Sequence, residues 1–240
     1  MEIQRNTPVA RSSGASLSIG GKTAPLERKF AGATKVDVGF VFDTTGSMSA
    51  KRDSLIESMS GFIDELAGLG LDWRVSAIPF GDLTVPGDRI DSALPFVTNV
   101  AEAKQQLRGM PQFSGGGNEG ESSIEAMSAA VGKAWRNDAV KVLVLLTDDY
   151  ALNVNRATEI TSLLTQTQTL CFAAALDTGY YRDWCTKSGG EWTEIASTMD
   201  TGSVLRLIRT LVSKVAITAA AVHAVGGGSV RKYLEITGRS

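Results

Sequence analysis

Val36-Asp37-Val38-Gly39-Phe40-Val41-Phe42-Asp43-Thr44-Thr45-Gly46-Ser47 decides how the rest of the chain is read. The stretch from Val36 to Phe42 is mostly apolar, the pattern of a strand buried on both faces. It stops at a carboxylate. Asp43, Thr45 and Ser47 are spaced by two, so a tight loop can turn all three side-chain oxygens to one point. Beyond the loop, Leu55, Ile56, Met59, Phe62, Ile63 and Leu66 recur at helical spacing, with Ser47 or Ser49 placed to cap the helix and Gly68 and Gly70 to end it.

Moving outward, the same alternation repeats. Trp73–Phe80, Val140–Leu146 and Leu170–Leu176 read as strands, with a weaker one near Leu94–Thr98 and an edge strand at Glu191–Ile195. Helical spacing appears near Val100–Leu107, at Ile124, Met127, Val131 and Trp135, at Ala157, Ile160, Leu163 and Leu164, over one or two turns at Tyr181–Thr186, and from Val204 to Val215. Strands alternating with helices imply an α/β fold with a mostly parallel sheet covered on both faces. Right-handed crossovers then bring the carboxyl ends of the parallel strands to one rim, where such sheets bind ligands. Asp43–Ser47, Phe80–Asp82 and Asp148–Asp149 follow strands and belong to that rim.

Composition agrees with one folded core. The chain has 240 residues, 43% of them hydrophobic, and a formal net charge of -2. Disordered chains carry fewer apolar residues and more net charge, and nucleic-acid binders usually carry a basic excess. No stretch approaches the ~20 apolar residues of a membrane span, and Met1–Gly20 lacks the apolar core of a leader peptide. Two cysteines, Cys171 and Cys185, are expected reduced, in a soluble cytoplasmic protein. Residues 1–33 read as a mobile or loosely docked arm, 34–217 as the domain, and 218–240 as a tail.

Asp148 ends the strongest strand and can meet Asp43, Thr45 and Ser47 on the rim. Two carboxylates and two hydroxyls suit a hard divalent cation such as magnesium, with manganese or calcium as alternatives. No histidine or cysteine lies near them, which disfavours zinc and copper. The lone His223 lies past the core and is not expected to be catalytic. Tyr180, Tyr181, Trp184 and Trp192 read as edge packing, and Lys51-Arg52 as a solvated helix face.

The run Val38–Phe42 followed by Asp43-Thr44-Thr45-Gly46-Ser47-Met48 resembles the first segment of a von Willebrand factor type A (VWA) domain, the D-x-[ST]-x-S element of its metal-ion-dependent adhesion site (MIDAS). Leu145-Leu146-Thr147-Asp148 resembles the third segment, and Trp184–Ile195 the closing strand. The likeness spans roughly Lys35 to Ala216 and is of a compact bacterial type. It implies three layers: a mostly parallel central sheet with one antiparallel edge strand, and helices on both faces, in a Rossmann-like arrangement. It also implies that Thr45 and Ser47 ligate magnesium directly, that Asp43 and Asp148 do so directly or through water, and that a partner protein's Asp or Glu fills the open position. Such modules are generally not enzymes and often serve multi-protein systems, ATPase-linked or devoted to defence or stress.

Two residues depart from the family pattern. Gly117 stands where the second segment normally supplies a threonine, so Asn118, Ser114 or water has to substitute. Asp149 stands where glycine is usual. Two other readings compete. One is a haloacid-dehalogenase-like phosphotransferase, with Asp43 as nucleophile and Asp148 and Asp149 on magnesium. The other is a metal-free scaffold of the same fold.

Overall fold

The computed structural model describes residues 16–19, 22–25, 34–117, 120–195 and 201–238. It divides into a unit of residues 1–32 and a unit of residues 33–240. Within the first, β1 (Ser16–Ile19) and β2 (Lys22–Pro25) form an antiparallel hairpin, with Ile19 opposite Lys22.

The second unit is an α/β sandwich. Its elements in chain order are β3 (Lys35–Asp43), α1 (Ser49–Gly68), β4 (Asp72–Phe80), α2 (Val100–Arg108), α3 (Ser123–Val131) and β5 (Val140–Leu146). They continue with α4 (Ala157–Gln166), β6 (Thr169–Ala175), α5 (Gly179–Ser188), β7 (Trp192–Glu194), α6 (Thr201–Gly226) and α7 (Val230–Thr237). The sheet order is β4-β3-β5-β6-β7, and every pair is parallel.

Burial on both faces follows from the period-two alternation of a strand. Val36, Val38, Phe40 and Phe42 pack into one core with Leu55, Met59, Phe62 and Ile63 of α1. Val41, Ile78, Leu143 and Leu145 pack into the other, with Ile124 and Met127 of α3, Ile160 of α4 and Trp184 of α5. Gly39 lies where a β-carbon would meet Leu143 Cδ2 at 2.8 Å, so this strand position has no room for a side chain.

Two of the expected strands differ from the reading. The edge strand β7 is parallel to β6, not antiparallel. Helix α5 lies between them and carries the chain back to the start of the sheet, as a crossover does. Antiparallel pairing occurs instead as isolated bridges, Val75 with Val97 and Phe80 with Ile90, so the weak strand near Leu94–Thr98 is reduced to one of them. The stretch beyond 217 is helical: α6 runs to Gly226, and Val222, Val230 and Tyr233 are buried in the first core. Gly227 and Gly228, at φ +61° and +88°, turn the chain from α6 into α7.

The order of the strands locates the site. The chain leaves β3 toward α1 on one face and leaves β5 toward α4 on the other. The adjacent carboxyl ends of β3 and β5 thus form the switch point of the sheet, where α/β folds open a crevice.

Candidate metal centre at the sheet rim

Asp43 is the last residue of β3 and is fully buried. Both its oxygens are engaged. Oδ1 accepts the Thr45 backbone N–H at 3.0 Å and the Thr45 hydroxyl at 2.6 Å, and Oδ2 accepts the Thr147 hydroxyl at 2.7 Å. Burial raises Asp43 to about 6, against the lowering effect of those bonds to Thr45 and Thr147 and with a smaller upward push from Asp148.

The loop continues with Thr45 Oγ1 at 3.4 Å from Ser47 Oγ, and the Ser47 hydroxyl donates to Asp148 Oδ1 at 2.8 Å. All four predicted oxygen-bearing side chains therefore line up across the switch point, Thr45 bonded to Asp43, Ser47 bonded to Asp148, and the two hydroxyl oxygens 3.4 Å apart. Helix α1 starts after a single 3-10 turn at Gly46–Met48, and no hydroxyl caps either element. Ser47 bonds the distant Asp148 instead of a local backbone N–H, so helix capping does not account for it.

A second loop closes over the first. Phe113 N–H and Gln112 Nε2 donate to the Thr44 carbonyl at 2.9 and 3.0 Å, and Gln112 Nε2 also reaches the Thr45 carbonyl at 2.9 Å. Gly46 passes so close that a β-carbon would stand 3.1 Å from the Ser114 carbonyl oxygen. Asn118, suggested as a substitute ligand, lies outside the described residues. Among the described residues, the Ser114 hydroxyl makes no hydrogen bond to the four; its backbone N–H bonds Asp88 Oδ1 at 3.0 Å.

Two residues of this rim escaped the sequence reading. Lys51, expected to be solvated, is buried, and its Nζ donates to Asp148 Oδ2 at 2.6 Å. It belongs to the first turn of α1, and helical side chains lean toward the N-terminus, which here is the rim. Glu121 is only 4% exposed. Its N–H bonds the Tyr150 carbonyl and its carbonyl accepts from Leu152 N–H, both at 2.8 Å, which ties it to the loop after β5. Its carboxyl lies beside the Thr45 side chain, both flanking Gly115. Burial first, then repulsion from Asp43, Asp82 and Asp149, raises it to about 8.

The aromatic cluster supports the same loop. Tyr181 and Trp184 are fully buried with rings 5.2 Å apart, and Tyr180 packs edge-on against Tyr181 and tilted against Trp184. The Tyr181 hydroxyl donates to the Asp149 carbonyl at 3.1 Å, the Tyr180 hydroxyl accepts from Ala151 N–H at 2.9 Å, and Trp184 Nε1 donates to the Ala157 carbonyl at 2.8 Å. These rings pin the chain that carries Asp148 and Asp149. Asp149 itself accepts the Tyr150 N–H through Oδ1 at 2.7 Å.

The sequence model of the von Willebrand factor type A domain matches residues 37–210, from within β3 into α6. The chain belongs to this family. Among solved structures, two crystal forms of proximal thread matrix protein 1 (PTMP1) from the mussel byssus resemble this VWA domain. One, with a zinc-occupied MIDAS motif, has a TM-score of 0.57 at 17% identity; the other has 0.54 at 18%. Each alignment covers 77% of this chain and 46% of PTMP1, so the chain spans about half the length of that protein. At such identity the likeness is one of fold. No curated protein sequence matches the chain.

The donor set of this VWA domain fits a divalent cation by its chemistry. Asp43, Thr45, Ser47 and Asp148 supply only oxygens, within hydrogen-bonding reach of one another, and Glu121 Oε2 is a buried carboxylate oxygen with no partner among the described residues. Among the described residues, no three His, Cys, Asp or Glu side chains form a preformed metal-holding group. A cation held at this rim would need the hydroxyls as well as the carboxylates.

Proposed function

We propose that this VWA domain is a divalent-cation-dependent protein-interaction module, using magnesium by preference, that captures a partner through an exposed Asp or Glu. The observation that carries the reading is the hydrogen bond between Ser47 Oγ and Asp148 Oδ1, which joins two loops 101 residues apart. Asp43, Thr45, Ser47 and Asp148 would hold the ion. When bound, it supplies a directional positive anchor for a carboxylate. The protein's part is to fix the ligands at rigid strand ends, burying Asp43, Thr45 and Asp148 while Ser47 stays exposed at the mouth of the site, with Thr147 orienting Asp43 and the Tyr180–Trp184 cluster orienting the loop of Asp148.

An aspartyl-phosphate enzyme is less well supported. A nucleophilic carboxylate has to reach its substrate, and Asp43 is fully buried with both oxygens bonded. The metal-free scaffold has one specific observation in its favour, since Lys51 Nζ already provides Asp148 with a counter-charge.

The test is a melting curve of the full chain with magnesium, with manganese and with chelator, for the native protein and for Asp43→Ala. The module reading expects the ions to raise Tm in the native protein and Asp43→Ala to lose that shift. It also expects magnesium-dependent capture of a partner whose Asp and Glu are required. Identical curves with ion and chelator would favour the metal-free scaffold.

A further inference from the structure

We propose that Glu121 belongs to the coordination sphere of the rim cation, directly or through one water, and takes the position that the missing threonine at Gly117 leaves open. The inference rests on the metal-dependent reading above and names a ligand that lies outside the motif of that reading.

Glu121 sits where such a ligand has to sit. Its backbone forms a parallel bridge with Ala151, so it travels with the loop that carries Asp148. Its carboxylate lies beside the Thr45 side chain, on the other half of the site. Position 115 is built to permit this. Gly115 has φ +71°, and a β-carbon there would stand 2.9 Å from Glu121 Oε1 and 3.0 Å from Thr45 Cβ. A side chain at that point would wedge Glu121 away from the site.

The carboxylate is also under-satisfied. Among the described residues, Glu121 Oε2 is buried without a hydrogen-bond partner, as is Oδ2 of fully buried Asp82, whose Oδ1 is taken by the Thr84 N–H and hydroxyl at 2.8 and 2.7 Å. A buried carboxylate oxygen with nothing to accept from is costly. Asp43, Asp82 and Asp149 all repel Glu121. Two changes can relieve this crowding, a proton on Glu121 or a cation beside it. Lys51, the nearby ammonium, is committed to Asp148. A divalent ion reached by Asp43, Thr45 and Glu121 relieves the repulsion and satisfies the orphan oxygen together.

The isosteric variant Glu121→Gln separates the proton from the cation. Gln keeps the shape and hydrogen bonding of a neutral acid but is a poor ligand for Mg²⁺ or Mn²⁺. Binding of Mn²⁺ alone to the full chain, followed by electron paramagnetic resonance of the free ion, is expected to weaken about tenfold or more in Glu121→Gln. Its Tm in chelator should stay equal to or above that of the native protein. Native binding with Glu121→Gln within twofold overturns the proposal and leaves the metal-dependent reading standing. No Mn²⁺ binding by the native chain overturns both.

Should Glu121→Gln fail to fold, Gly117→Thr decides, because a β-carbon at 117 meets nothing within 4 Å among the described residues. With Glu121 filling the position, the restored hydroxyl should leave affinity within about twofold. A tenfold gain would mean that the position had been open, against the proposal.

Discussion

Lys51 Nζ lies 2.6 Å from Asp148 Oδ2, an ion pair between side chains 8% and 2% exposed and 97 residues apart. It joins the first turn of α1 to the loop after β5, so the ammonium stands beside the very groups proposed to hold a metal. Asp148 divides its two oxygens between Lys51 and Ser47. Removing one partner of a buried pair costs on the order of 3–5 kcal/mol, because the other charge stays behind. Lys51→Met is therefore expected to lower stability by about that much in chelator. Millimolar magnesium should recover much of the loss, since an ion can take over the counter-charge. Denaturant melts of the variant with and without magnesium check this. A loss that magnesium leaves untouched would mean that no ion comes near Asp148.

Acid should stabilise the protein when divalent ions are chelated. Asp43 is raised to about 6 and Glu121 to about 8, both chiefly by burial. Ordinary carboxylates titrate near ~4 in an unfolded chain. Between those limits the folded protein holds protons that the unfolded chain has released, so stability falls as pH rises. The contribution is complete below pH ~4, fades through about 6 for Asp43, and is gone above about 8 for Glu121. Tm in chelator is thus expected to drop between pH 5 and 9, and Glu121→Gln should flatten the upper part of the drop. A Tm that rises across this interval would contradict the assignment.

What the sequence disclosed, and what it withheld, divides along physical lines. Strands such as Val36–Phe42 and Val140–Leu146 declare themselves by local apolar runs. Asp43 and Asp148 were legible as rim residues because parallel strands share one carboxyl end. Lys51 was not, since its burial depends on where α1 begins relative to β5, and a lysine on a helix usually faces water. Glu121 was missed because its place comes from the bridge to Ala151 and not from any local spacing. A glutamate directly ahead of Ser122-Ser123 at the start of α3 was the one available signal. The direction of β7 and the extension of α6 past Ala216 are decided by tertiary packing, which a Gly-Gly pair and a Gly-rich run do not encode.

Asp37 lies one residue into the apolar run of β3 yet is fully buried. It accepts Arg74 Nε at 3.0 Å, Arg136 Nε at 2.8 Å and the Arg136 backbone N–H at 2.8 Å. Arg136 also holds Asp72 through Nη1 at 2.7 Å. The network ties the amino end of the sheet to the segment before β5, at the opposite end of β3 from Asp43. Asp37→Ala leaves two arginines without their shared carboxylate and is expected to cost about 3–5 kcal/mol. Mn²⁺ affinity of the folded fraction should be unchanged, which urea melts and metal titration together would show.

Gly190 offers the sharpest steric prediction. A β-carbon there would lie 1.9 Å from the Cys171 carbonyl oxygen and 2.6 Å from its carbon, both backbone atoms of the buried strand β6. No rotamer change can relieve that clash. The Gly190 N–H also bonds the Cys185 carbonyl at 2.9 Å, which fixes the turn from α5 into β7. Gly190→Ala is expected to cost at least ~3 kcal/mol, the upper end of overpacking penalties. Gly117→Ala, in open space, should change stability by no more than ~0.5 kcal/mol. Comparable melting temperatures for the two variants would show that β7 does not pack against β6 at the register of Ala173 with Trp192.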